Sequence, residues 1–435
     1  MDEPRPRTAP WASPDARARL DAVESSLPAG LAATLRAAAD AAREHARRIE
    51  EDALLLYAGG NVPPPESPAA DGVAALLSGQ PSMGYPGDKY QAGLEPLDVV
   101  EVAVATVVAE VMGARFAEIR PTSATLANLA AYTALAQPGD AIAVLPGWAG
   151  GHLSHHAIGA AGVRGLDVVE LPYDTHALDV DLVRLEPMLE RDRPVLVVIG
   201  ASLMLRAHRV AAIAERVHDH GARLIYDASH VAGLIAEGRF QAPLREGADL
   251  MSFSTYKSFG GPAGGVLATN DEDLAERLAT AVYPGLTANY DIARLLPLGA
   301  AALDHARSGG AYADACIASA RALAQGLAAQ DLAVLGPPPH HTDSHHVAID
   351  VRAHGGGTRV ARRLAEANIL LSEIGCPADD DPDPAGAIRI GTQSLTRQGF
   401  TAADMPEIAQ AIARGVPELA DLHALRDDVA AIRRR

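Results

Sequence analysis

Lysine is nearly missing from this chain. Of its 37 basic residues only Lys89 and Lys257 are lysine, and the other 35 are arginine. A guanidinium stays protonated and is a poor nucleophile, so this bias leaves amine chemistry to two positions. Cysteine is as scarce. Cys316 and Cys376 are too few for a disulfide framework and read as buried thiols. Aromatic residues make up 4 % of the chain against 48 % hydrophobic, so the core is left to Ala, Val, Leu and Ile. Positive charge is short too. A formal net charge of −18 would repel nucleic acid and anionic membranes, which excludes a general binder of either. No run reaches the roughly 18 uncharged apolar residues that span a bilayer. MDEPRPRTAP at the start has no apolar core of a secretory leader. These absences suit a cytoplasmic enzyme.

At 435 residues the chain is long for one core, and two domains are expected. Residues 1–16, rich in Pro, Arg and Asp, read as a disordered arm, and 17–56 as a helical one. GGNVPPPESP (59–68) then breaks regular structure. From about residue 98 helices alternate with short apolar strands. DVVEVAVATVVAEVMG (98–113) and RVAAIAERVHDHG (209–221) have helical spacing. AIAVLP (141–146), DVVELP (167–172), PVLVVIG (194–200), RLIYD (223–227) and DLMSFS (249–254) read as strands. Strands apolar throughout and separated by helices predict an α/β fold, its mostly parallel sheet covered on both faces. Later, HHVAIDV (345–351), NILLS (368–372) and AIRIG (387–391) among helices predict a smaller α+β domain.

Functional residues are then expected where strands end. Lys257 sits just past DLMSFS in SFSTYKSFGGPAGG, beside Ser254 and Thr255, where an amine could attack a carbonyl. Asp227 ends RLIYD, with His230 three residues on. Ser123 and Thr125 open an apolar helical run, and hydroxyls with free N–H groups at a helix start form an anion site. GGHLSHH (150–156) brings His152, His155 and His156. An amine, a carboxylate, a histidine-bearing loop and a phosphate cradle are what pyridoxal 5′-phosphate needs. HHTDSHH (340–346) invites a metal, but His340, His341, His345 and His346 lack a zinc spacing. His345 and His346 open a strand and should face opposite ways, so no metal is expected.

GYPGDKYQAG (84–93), PTSATLANLAAYTALAQPGD (121–140), GGHLSHH, YDASHVAGLIAEG (226–238), STYKSFGGPAGG (254–265) and IRIGTQSLTRQGF (388–400) together resemble serine hydroxymethyltransferase, from about residue 50 onward. The resemblance implies a fold-type-I, aspartate aminotransferase-like enzyme carrying pyridoxal 5′-phosphate. It implies an arm (1–60), a cofactor-binding large domain (61–300) and a small domain (301–435). It makes Lys257 the covalent anchor and Asp227 the partner of the pyridine nitrogen. His152 stacks on the ring, and His230 and Ser202 lie near its phenolic oxygen. Ser123 and Thr125 hold the phosphate, with Ser254 beside the anchor, and Arg389 and Tyr90 serve the substrate. It implies a homodimer in which GYPGDKYQAG comes from the subunit opposite Lys257, with Asn289 near the neighbouring phosphate.

The chain departs from that pattern on one side. Met83 replaces a glutamate that serves hydroxymethyl and folate chemistry, and Pro81, Gln91, Tyr256, Ala263, Ala288 and Gly59 also differ. Methionine transfers no proton. The expected reaction is therefore folate-independent aldol cleavage or formation of the Cα–Cβ bond of a β-hydroxy-α-amino acid, as in an aldolase or a threonine transaldolase. Its partners are a small amino acid and an aldehyde. The rivals are a tetrahydrofolate-using hydroxymethyltransferase, elimination, racemisation or transamination on the same cofactor, and a non-catalytic regulator. The base for the β-hydroxyl is open among His152, His155, a phosphate oxygen and water.

Overall fold

The computed structural model describes residues 13–64, 76–377, 383–418 and 421–434. Its packing separates two compact units, residues up to Ala53 with those from Ala430 on, and Leu54–Val429. In the first, helices span Pro14–Ser26 and Leu31–Arg47. The arm expected to be disordered to residue 16 is thus helical from Pro14, because Ser13 caps the Ala16 amide and proline suits a first helical turn. Residues 1–12 of that expectation lie outside the described residues. The helical reading to 56 also ends early. Leu54–Leu55 pairs in parallel with Ile369–Leu370, since this apolar run is buried.

The large unit is organised by a seven-stranded sheet. Its strands are β1 (Phe116–Glu118), β2 (Ala141–Val144), β3 (Asp167–Glu170), β4 (Leu196–Ile199), β5 (Arg223–Asp227), β6 (Leu250–Ser254) and β7 (Gly265–Thr269). The order is β1-β7-β6-β5-β4-β2-β3, with β7 alone antiparallel to its neighbours. β4, β6 and β7 are buried at every position, so both faces are covered and the strands need no polar alternation. The short β1 and the antiparallel β7 were not read in the sequence, since one is three residues long and the other follows the glycine-rich GGPAGG with no helix between it and β6.

Two helices matter most for the site, α1 (Glu95–Val111) and α2 (Ala124–Leu135). Ser123 caps α2 by accepting the Leu126 amide at 3.1 Å. Gly265 lets β7 pass close by, because a Cβ there would lie 2.3 Å from the Ser123 carbonyl. A four-stranded antiparallel sheet follows, of β8 (Ala333–Val334), β9 (His346–Asp350), β10 (Ser372–Cys376) and β11 (Asp383–Gly391), in the order β8-β9-β11-β10. On β11, Arg389 lies between Ala348 of β9 and Ser372 of β10.

Candidate active site

Parallel strands end together, and so do the polar residues at their ends. Asp227, last in β5, is 6 % exposed. Its Oδ2 accepts from His155 Nε2 at 3.0 Å and Asn128 Nδ2 at 3.3 Å, and its Oδ1 from the Ser229 amide at 2.9 Å. The Tyr132 hydroxyl donates to His155 Nδ1 at 2.5 Å, which places the imidazole proton on Nε2, facing Asp227. Burial by itself would raise the Asp227 carboxyl, but the hydrogen bonds from His155 and Ser229 hold it well below the usual range. The carboxylate is ionised. Gly200 lets the Asp227 backbone pass close by, since at φ +96° a Cβ there would lie 2.1 Å from the Asp227 main-chain carbonyl oxygen.

His152, partly buried, accepts the Ser154 amide on Nδ1 at 3.1 Å, so its proton sits on Nε2. Burial pulls its pKa down to about 4, and it is neutral near pH 7. His155 has both nitrogens engaged and is not free to take a proton from a substrate hydroxyl.

Lys257, 8 % exposed, approaches His230 Nε2 with Nζ at 3.2 Å. Arg389 Nη1 reaches the same nitrogen at 3.4 Å and also donates to the Ser202 carbonyl, while Nη2 donates to Ser372 Oγ at 3.2 Å. Neither cation forms an ion pair with a carboxylate among the described residues, and Arg389 Nε has no acceptor. Burial lowers Lys257 to about 8, with Asp227 opposing and Arg389 adding. It lowers Arg389 to about 10. Two buried cations without a counter-anion form a site for anions. The other lysine is the opposite case. Lys89 is buried against the Glu101 carboxylate and bonds Ser82 Oγ at 3.1 Å.

The structure thus gathers Lys257, His230, Arg389 and the Ser202 carbonyl in one contact group, with Asp227 and His152 electrostatically coupled to it. Ser254 is buried at the end of β6, its amide on Ser229 Oγ at 3.1 Å. Thr125 is exposed in the first turn of α2. Tyr90 and Asn289 stay outside the group. Tyr90 is 78 % exposed, and Asn289 Oδ1 accepts the Ser82 amide at 2.8 Å. Asn128 and Tyr132 were missed in the sequence, although their spacing of four puts them on one face of α2. His345 and His346 do not face opposite ways as expected. His345 lies in a bend before β9, and the two rings stand 4.2 Å apart. No cluster of metal-ligating side chains is found among the described residues.

Comparison with known proteins adds to this geometry. The family model described as serine hydroxymethyltransferase matches residues 38–412. An alpha-methylserine aldolase of Variovorax paradoxus is 42 % identical over 390 residues, covering 89 % of this chain and 87 % of its own. A serine hydroxymethyltransferase of Methanopyrus kandleri is 42 % identical over 354 residues, covering 81 % and 82 %. An L-threonine transaldolase from Pseudomonas fluorescens superposes with a TM-score of 0.82 over 95 % of this chain and 93 % of that one. At 23 % identity that likeness speaks for the fold.

Proposed function

This chain belongs to the serine hydroxymethyltransferase family, and from that premise we propose that it is a folate-independent aldolase of β-hydroxy-α-amino acids carrying pyridoxal 5′-phosphate. The observation that carries the reading is Lys257, a buried amine with its pKa near 8 and no carboxylate paired to it, near the ionised Asp227. That donor set fits the cofactor. Lys257 would hold it covalently through Nζ, Asp227 would pair with its ring nitrogen, and Ser123 and Thr125 would hold its phosphate. His152, Ser202, His230, Ser254 and Asn289 would complete the binding residues. Most of these lie in residues 61–300, while Arg389 comes from the 301–435 region.

When bound, the cofactor supplies a conjugated ring that takes up the electron pair left on Cα. Asp227, kept ionised by His155 and Ser229, is suited to stabilise positive charge on a ring nitrogen. Arg389 binds the substrate carboxylate, for which its unpaired charge and free Nε–H are suited. Tyr90 is assigned to the substrate from the opposite protomer of a homodimer in the cytoplasm. No helix among the described residues is long and apolar enough to cross a membrane. In the reaction the β-hydroxyl loses its proton, the Cα–Cβ bond breaks, an aldehyde leaves and Cα takes a proton.

The relatives named alpha-methylserine aldolase favour a substrate with a quaternary Cα. Such a substrate has no Cα proton to lose, which shuts out racemisation and transamination through that proton. The test is product analysis with α-methylserine, threonine and serine, with and without tetrahydrofolate. Aldehyde should appear in equal amount with alanine from α-methylserine, or with glycine from threonine, whether or not folate is present. A keto acid as the main product, or serine cleavage that requires folate, would overturn the reading.

A further inference from the structure

Behind the Lys257 contact group lie three histidines, His230, His345 and His346, exposed by 4 %, 0 % and 0 %. His230 Nε2 faces two donors, Lys257 Nζ at 3.2 Å and Arg389 Nη1 at 3.4 Å. It must therefore present a lone pair, and the ring proton belongs on Nδ1. His346 Nδ1 accepts the Met204 amide at 3.1 Å, so its proton belongs on Nε2. His230 Nδ1, His346 Nε2 and both nitrogens of His345 have no partner among the described residues. The His230 and His346 rings are 5.2 Å apart at 66°, and His345 lies against His346. Two N–H donors cannot bond each other directly. An unmet buried donor costs about 1–3 kcal/mol, so three donors and one bare nitrogen close together call for a shared partner.

We propose that His346 is a positioning residue that seats the His230 ring through one buried water. The water oxygen accepts His230 Nδ1–H and His346 Nε2–H, and a water hydrogen goes to the bare nitrogen of His345. That makes three bonds, the usual number for a buried water. With Nδ1–H held, His230 keeps its Nε2 lone pair on Lys257, accepting a hydrogen bond from Nζ. Burial, with Lys257 and Arg389 alongside, keeps all three rings neutral, as the arrangement requires. The role in turnover rests on the proposed function, but the tautomer does not.

The experiment is therefore nitrogen-15 NMR of labelled histidine in the cofactor-free chain, with activity measured separately on the loaded enzyme. His230 should show a protonated Nδ1 and a bare Nε2 in the wild type. In His346→Leu the Nδ1–H should lose its hydrogen-bonded shift while Nε2 stays bare, and His346→Gln, which keeps a donor, should restore the wild-type shift. On the loaded enzyme kcat should fall roughly tenfold in His346→Leu with KM within about twofold, the mark of lost orientation. A wild-type His230 protonated on Nε2 would overturn the proposal without touching the proposed function, and needs no variant to fold. So would an unchanged Nδ1–H shift in His346→Leu. The expected tautomers combined with no aldehyde release from any substrate would instead count against the function and leave the positioning role standing.

Discussion

Lys257 has a burial cost that depends on pH. Its pKa falls from 10.5 to about 8 in the folded chain, so between those values the unfolded state binds the extra proton. Stability then rises with pH across the window from about 8 to 10.5, and below it the buried ammonium costs on the order of 3 kcal/mol. Cofactor-free Lys257→Met should therefore unfold at higher urea than wild type at pH 7, with the gap closing as pH passes 10. A constant gap would mean the shift is absent. Lys257→Arg keeps the charge but should lose any borohydride-trapped cofactor on the STYKSF peptide, because the chemistry needs a free amine. Lys257 stood out in the sequence as a candidate nucleophile because lysine is so rare. Its contacts with His230 and Arg389 were not, since 27 and 132 residues separate it from them.

The hairpin of Gly84–Tyr85 and Asp88–Lys89 shows an element held by one buried ion pair. Glu101 on α1 accepts from Lys89, from Ser82 Oγ at 3.2 Å and from the Tyr290 hydroxyl, while Arg120 Nη1 holds the Gly84 carbonyl at 3.1 Å. Met83 sits inside this frame, its carbonyl bonded by the Tyr90 amide at 3.0 Å. Lys89→Met alone should destabilise the chain by about 3–5 kcal/mol, because it strands the Glu101 carboxylate. The double change Lys89→Met with Glu101→Leu should recover much of that loss in urea unfolding. Equal destabilisation would show that the hairpin depends on more than the pair. Helical spacing made α1 readable, but nothing local marks Glu101 as the partner of Lys89.

At the scale of the molecule the question is what the lost glutamate at 83 changes. Asp88 and Glu373, the carboxylates nearest in sequence logic to replace it, are both exposed. Tetrahydrofolate should therefore alter turnover little, and a threonine-like or α-methyl substrate should outperform serine. Loss of one placed acid–base group typically costs ~10²–10⁴ in rate. Met83→Glu alone should not create folate-dependent serine cleavage, since Pro81, Gln91 and Ala263 differ as well. A large folate response in either protein would count against this. Tyr90, 78 % exposed and outside the Lys257 contact group of its own chain, would serve the proposed substrate only from a second protomer. Sizing at micromolar concentration should give a dimer, and an active monomer would refute that assembly.

The sequence by itself determined the parallel sheet and the ends at which its chemistry gathers. Apolar strands separated by amphipathic helices have few other ways to bury themselves, and strand ends are where polar residues stay usable. Its residues also pointed to Lys257, Asp227 and His152, and the family resemblance to Arg389, as candidates for one chemistry. Only the tertiary structure decided their protonation and pairing. Tyr132 and Asp227 engage both nitrogens of His155, Lys89 is neutralised by Glu101 while Lys257 has no paired carboxylate among the described residues, and His345 turns against His346. Each depends on which groups meet across more than ten residues of chain and how much water is left there, and neither is written in local pattern.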